Sequence, residues 1–213
     1  MKRILLKVSY DGTAYHGYQS QDNGNTIESE LSKAIYHVTG ASAVLIGGSR
    51  TDSGVHALSN IAVFDTDSPI NAEKFSYALN AHLPQDIRVT KSTEVSLDFH
   101  PRHIDSVKTY EYRIHNSEFE DPLKRLYYLH SYIDYNIEAM KKACEGFIGE
   151  HDFSSFCSAG AQVDSKVRTI YSLDIKVIEL PDSSVRVSDS ISAADAPNGS
   201  PASHRKYPSR DII

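Results

Sequence analysis

The order of element signals over residues 1–100 narrows the possible folds most: strand, helix, strand, strand, helix, strand. Arg3–Tyr10 is rich in apolar and β-branched residues and reads as a strand. A glycine-containing loop runs on to Asn25. Thr26 then supplies a helix cap, and Ile27, Leu31, Ala34, Ile35 and Val38 recur at helical spacing up to Gly40. Ala43–Ile46 and Ser59–Asp65 read as two further strands. Asn71–Ala81 reads as a second helix, with Phe75, Ala78 and Leu79 on one face, and Ile87–Val95 as the fourth strand. This order is the split βαβ, or ferredoxin-like, arrangement, so residues 1–100 are expected to form one α+β half.

The order begins again beyond residue 100. Asp105–Asn116 predicts a long strand with Tyr110, Tyr112 and Ile114 on one face, and Leu126–Ile133 predicts another extended piece. Ile137–Phe147 reads as a helix. Val167–Leu180 reads as a strand, which Pro181–Ser184 turns into Val185–Val187. A second unit of this kind then needs one more helix and one more strand. Ser188–Ser203 offers a single isoleucine and no leucine, valine or aromatic residue, too little apolar surface to offset the entropy of ordering it. Residues 101–187 are therefore expected to form an incomplete second half, and 188–213 a disordered or non-native tail.

Between the second and third strands lies Gly47-Gly48-Ser49-Arg50-Thr51-Asp52-Ser53-Gly54-Val55-His56-Ala57. A polar turn is the ordinary reading of such a connector. Glycines permit positive φ and close backbone approach, so this loop can also aim Asp52 into a cleft, with Arg50 as a counter-charge two residues away.

The net charge of −6 speaks mildly against a nucleic-acid partner, but a basic face matters more than the sum. Lys2, Arg3, Lys7, Arg50, Arg102, Lys108, Arg113, Lys124 and Arg125 are expected to converge on one surface. Cys144 and Cys157 are too few for a disulfide framework and lack metal-ligand spacing, which fits a reducing cytoplasm. The apolar run after Met1 is too short for a signal peptide, and no stretch approaches membrane-spanning length.

Arg50-Thr51-Asp52-Ser53-Gly54-Val55-His56-Ala57 resembles the signature of the tRNA pseudouridine synthase A family, usually Gly-Arg-Thr-Asp-Ala-Gly-Val-His. Ser49 and Ser53 stand where that pattern has glycine and alanine. Tyr10–Gln19 is similar to the family's first motif, with Tyr18 in place of the usual tryptophan. Phe99–Arg102, Lys108–Ile114 and His151–Phe156 follow in the family's order. The similarity runs from about Arg3 to Val187. The family's next motif, with its core helix and closing strand, is not recognisable, although Lys206–Ile213 is again similar to family sequence.

The resemblance implies a pseudouridine synthase fold of two ferredoxin-like halves with mixed antiparallel sheets. It implies isomerisation of uridine at positions 38–40 of the tRNA anticodon stem-loop: the bond from uracil N1 to ribose C1′ breaks, the base turns, and C5 is joined to C1′. No oxidation or net hydrolysis occurs, so no cofactor or metal is implied. Asp52 matches the family nucleophile, and Tyr110 the tyrosine that packs on the extruded base. By the same resemblance Arg50, His56 and Arg102 bind substrate, Arg102 through phosphate. Asp11, His100 and Arg168 are further candidate RNA contacts.

Without its Lys108–Arg113 context a strand tyrosine reads as a core aromatic, and Tyr112, with the same facing, is expected in the core. Cys157 reads as a packing residue. The resemblance also implies a homodimer. Two other readings stay open: an RNA-binding remnant impaired by loss of the C-terminal motif, and a small-molecule hydrolase using Asp52 with His56. The second is disfavoured because no phosphate-cradling glycine loop or metal cluster is present.

Overall fold

Alternation of apolar residues builds the first sheet. In β1 (Lys2–Tyr10) Ile4, Leu6, Val8 and Tyr10 are buried, and the residues between them are not fully covered. The computed structural model describes residues 1–21, 24–157, 165–180 and 209–213. The chain is an α+β protein that divides into two units, Met1–Lys108 and Thr109–Ile213.

In the first unit α1 (Ile27–Thr39) follows β1. Its Thr26 cap is reciprocal: Thr26 Oγ1 accepts from the Ser29 amide, and the Thr26 amide donates to Ser29 Oγ. Gly40 ends the helix in the left-handed region at φ 72°. β2 (Ile46–Gly47), β3 (Ala57–Thr66), a 3-10 turn (Ala72–Lys74), α2 (Phe75–Asn80) and β4 (Ile87–Val95) complete the expected order. The sheet runs β2-β3-β1-β4, with every neighbouring pair antiparallel. This is the interleaved arrangement of two split βαβ units. Ile27, Leu31, Ala34 and Ile35 of α1 and Phe75 and Leu79 of α2 join Ile4, Leu6, Val8, Phe64, Ile87 and Val89 in one core. Each large apolar side chain buried there contributes about 1.5–3 kcal/mol.

Two expectations shift. The second strand pairs only over Ile46↔Val63 and Gly47↔Ala62, so it is shorter and later than Ala43–Ile46. The division between units falls at 108/109 rather than 100/101, because residues 96–104 fold back on the first unit. Arg3 Nη1 donates to Phe99 O at 2.8 Å, Arg102 Nε donates to Gly47 O at 2.8 Å, and Pro101 is buried.

The second unit contains β5 (Ile114–Asn116), β6 (Leu129–Ser131), α3 (Ile137–Glu145), β7 (Gly149–Asp152), β8 (Val167–Ile170), β9 (Val177–Glu179) and β10 (Arg210–Ile212). One sheet has the order β6-β5-β10-β9, with β5 and β6 parallel and β10 antiparallel to both its neighbours. β7 and β8 form a separate antiparallel pair. The expected long strand 105–116 is confined to its last three residues, and the expected strand 167–180 is two pieces. Tyr112 is 68% exposed, not in a core, since no ladder reaches it.

The tail reading also needs correction at its end. Arg210–Ile212 form a strand between β5 and β9, so a closing strand is present. Its Asp211 is 5% exposed and accepts hydrogen bonds from His115 Nδ1 at 2.8 Å and Lys124 Nζ at 2.6 Å. The Pro181–Ser184 turn, the Val185–Val187 strand and the reading of 188–203 lie outside the described residues.

Candidate active site

The loop from Gly47 to His56 is fixed at its middle by Thr51. Thr51 Oγ1 lies 2.8 Å from Tyr10 Oη at the end of β1, and Thr51 O accepts from the Tyr18 amide at 3.0 Å. Asn60 Nδ2 on β3 donates to Ser49 O at 2.9 Å and to Tyr10 Oη at 3.3 Å. The far end is a turn in which the Val55 amide donates to Asp52 O and Gly54 takes φ 77°. Ser53 Oγ and the Gly54 amide both reach Tyr15 O.

Glycine is required where the loop after β1 meets this one. A Cβ on Gly12 would stand 2.1 Å from Val55 O, and Gly17, at φ 89°, would place one 2.8 Å from Thr51 O. The two glycine-bearing motifs are therefore two walls of one structure.

Between them opens a cavity of about 370 Å³ lined by His16, Tyr18, Gln19, Gln21, Arg50, Thr51, Asp52 and Ser53. Asp52 and Arg50 are both exposed on its wall, flanking the anchored Thr51. No ion pair joins them among the described residues, although a counter-charge was expected of Arg50. The anchoring of Thr51 sets where both side chains emerge, and both line the cavity.

His56 is tied to the loop that follows β1. Its Nδ1 is 3.0 Å from Asp11 Oδ1 and 3.2 Å from the Gly12 amide. Asp11 also accepts from the amide and hydroxyl of Thr13. Asp11 and His56 thus tie the two motifs together, a pairing that sequence reasoning missed. Arg102 is exposed, with Nε held by Gly47 O. His100 belongs to the same turn.

Tyr18 is 1% exposed, and its hydroxyl has no hydrogen-bond partner among the described residues. Burial, aided by Glu28, pushes that hydroxyl well above the usual phenol range.

Tyr110 belongs to the second unit, where it is 78% exposed on the irregular segment before β5 rather than on a strand. Arg168 is exposed on β8, and its guanidinium donates to Ser165 O just before the strand and to Val167 O within it. Several expected members of a basic face are engaged elsewhere: Arg3 with Asp65, Arg113 with Glu111, and Lys124 with Asp211. Cys144 and Cys157 are free thiols, half-buried. Among the described residues no cluster of three or more His, Cys, Asp or Glu side chains is placed to hold a metal ion. No described helix is long and apolar enough to cross a membrane.

Comparison with known proteins bears on both motifs. A family model described as tRNA pseudouridine synthase matches residues 7–103 and 143–192. The chain is 47% identical over 171 residues to tRNA pseudouridine synthase A of Caldicellulosiruptor saccharolyticus, covering 80% of this chain and 70% of that protein. It is 47% identical over 176 residues to the tRNA pseudouridine synthase A of a Thermoanaerobacter species, covering 83% and 72%. With tRNA pseudouridine synthase A of Acetivibrio thermocellus the identity is 44% over 176 residues, covering 83% and 72%.

Proposed function

Since the chain belongs to the tRNA pseudouridine synthase family, an isomerase family, we propose that it converts uridine to pseudouridine at positions 38–40 of the tRNA anticodon stem-loop, with Asp52 as nucleophile. The observation that carries this reading is Asp52 itself: an exposed carboxylate on the wall of a cavity of about 370 Å³, on a loop pinned at the adjacent residue. A uridine in a stem is stacked and paired, so it must leave the helix before any side chain can reach it. The cavity falls within the usual size range of ligand pockets.

In the proposed course the N1–C1′ bond breaks while the Asp52 carboxylate bonds the nucleotide, and that covalent link keeps the pieces in the site. The ring turns, C5 joins C1′, the bond to Asp52 breaks and returns the free carboxylate, the C5 proton leaves to solvent, and N1 gains a proton. The change is a net isomerisation. Arg50 and Arg102 contact the RNA, His56 holds the loop beside Asp11, and the exposed ring of Tyr110 supplies a face for the extruded base. The family resemblance extends the proposal to a homodimer, in which one protomer grips the tRNA body while its partner modifies the arm, and the cysteine usage extends it to a cytoplasmic location.

The test is tritium release from tRNA carrying uridine labelled at C5. The chain is expected to release label, and Asp52→Ala to release none while still retaining tRNA. Label release by the Ala variant would remove Asp52 as nucleophile. A second reading, an impaired RNA-binding member of the family, is favoured because no ion pair joins Arg50 to Asp52 among the described residues, and it requires tRNA binding with no release from the native chain.

A further inference from the structure

Residues His100-Pro101-Arg102-His103 make a turn closed by the His103 amide donating to His100 O at 3.1 Å. The two imidazoles stack face to face, with centroids 4.0 Å apart and planes 23° from parallel. Arg102 stands between them in sequence. Its Nε is fixed on Gly47 O at 2.8 Å, at the start of the loop that carries Asp52. The Arg102 and His103 side chains are exposed and His100 is half-buried. Among the described residues no carboxylate lies within ion-pair distance of any of the three. The cation facing them from β1, Arg3, is already held by Asp65 at 2.7 Å and donates to Phe99 O.

We propose that the His100–His103 turn is an RNA phosphate site in which binding of the backbone anion is coupled to protonation of the stacked histidines. The proposal rests on the RNA-modifying reading and specifies how that site would hold its substrate.

Two imidazolium ions in stacking contact repel each other, and Arg102 adds a third positive charge. His100 Nδ1 accepts the Arg102 amide at 3.3 Å, which fits a neutral ring. Burial, then the neighbouring His103, Arg102 and Arg3, holds His100 below the usual histidine range. A phosphate oxygen seated on this turn reverses the balance, because each added proton then gains an opposite charge. The sign follows by linkage. Protons are taken up on binding, so affinity is greatest at low pH and falls as pH rises through the range where the bound histidines deprotonate. The arrangement differs from a plain arginine contact, whose strength would not change across that range.

The experiment measures binding of an anticodon-arm RNA hairpin to the full chain from about pH 5.5 to 8, near the histidine range. Native protein is expected to tighten by up to about tenfold per pH unit for each proton coupled. His100→Gln/His103→Gln is expected to bind with little pH dependence and to match native affinity at the alkaline end. Arg102→Gln is expected to reduce the slope of log affinity against log salt by roughly 1. His103→Gln alone flattens part of the profile and, being at an exposed position, keeps the test open if the double variant fails to fold. Calorimetry in two buffers of different ionisation heat reports the proton uptake directly.

A double variant that retains the native pH slope overturns the proposal. So does an unchanged slope with a methylphosphonate hairpin, or no hairpin binding by the native chain. A histidine-dependent slope without tritium release supports the phosphate site and counts against the catalytic reading. Tritium release with a histidine-independent slope does the opposite.

Discussion

The hydroxyls of Tyr10 and Thr51 meet at 2.8 Å, which fixes the residue between Arg50 and Asp52 to the last position of the first strand. The position of the carboxylate therefore depends on a hydrogen bond it does not make. Tyr10→Phe removes that bond and is expected to cost about 1 kcal/mol of stability. The larger expected effect is on turnover, on the order of tenfold in kcat with KM for tRNA little changed, since a displaced reacting group costs rate more than binding. Thr51→Ser keeps the hydroxyl and should stay near native, while Thr51→Val should behave like Tyr10→Phe. Steady-state tritium release on the four proteins checks this. Equal kcat in Tyr10→Phe and native protein would separate the contact from catalysis.

Two glycines of the same region predict opposite severities. Gly12→Ala puts a methyl 2.1 Å from Val55 O, against backbone that is itself tied to Asp52 O. Relief requires the two motif loops to part, at a cost of about 3 kcal/mol or more. Gly54→Ala meets nothing within 4 Å but must hold φ 77°, costing about 1–2 kcal/mol. Urea midpoints for the two variants should fall in that order, and a larger loss at Gly54 would contradict the described packing.

The first unit was legible because its periodicity and its burial coincide. Ile4, Leu6 and Val8 in β1, and Ile27, Leu31 and Ile35 in α1, recur at the spacing of the face they bury. The second unit was less so. Tyr110 and Tyr112 alternate as a strand would, but a strand exists only where a partner meets it, and the partners of β5 are two three-residue strands. One of these, β10, pairs Arg210 with Asn116 across a separation no local pattern reveals. The site divides in the same way. Arg50, Asp52 and His56 are legible as one motif, whereas the contact of Tyr10 with Thr51 spans 41 residues and that of Gly12 with His56 spans 44.

Tyr18 carries a buried hydroxyl that no described residue satisfies. The residue is 1% exposed, the hydroxyl has no partner among the described residues, and a Cβ on Gly47 would stand 2.3 Å from the ring. A buried polar group left unpaired costs about 1–3 kcal/mol. Tyr18→Phe keeps the ring and deletes the orphan atom, so it should stabilise the protein by about 1 kcal/mol. Thermal unfolding should then rise by roughly 2–4 °C. A fall in the midpoint would mean that the hydroxyl is satisfied in solution.

The second unit should lose its closing strand in acid. Burial alone would raise the Asp211 carboxyl, but hydrogen bonds from Lys124 and His115 outweigh it and hold the group below the usual carboxylate range. A carboxyl depressed by folding contributes stability that is full above its unfolded value, near 3.9, and is lost as pH falls through the lower folded value. Amide exchange at Ile212, in β10 between β5 and β9, should therefore speed up as pH drops below about 4, after correction for intrinsic exchange. Asp211→Asn leaves the Lys124 ammonium without its counter-charge in a partly buried place and should cost about 2 kcal/mol at neutral pH. It should also flatten the acid limb, because the group that titrates there is gone. An Asn variant with the native acid profile would assign that limb to another carboxylate.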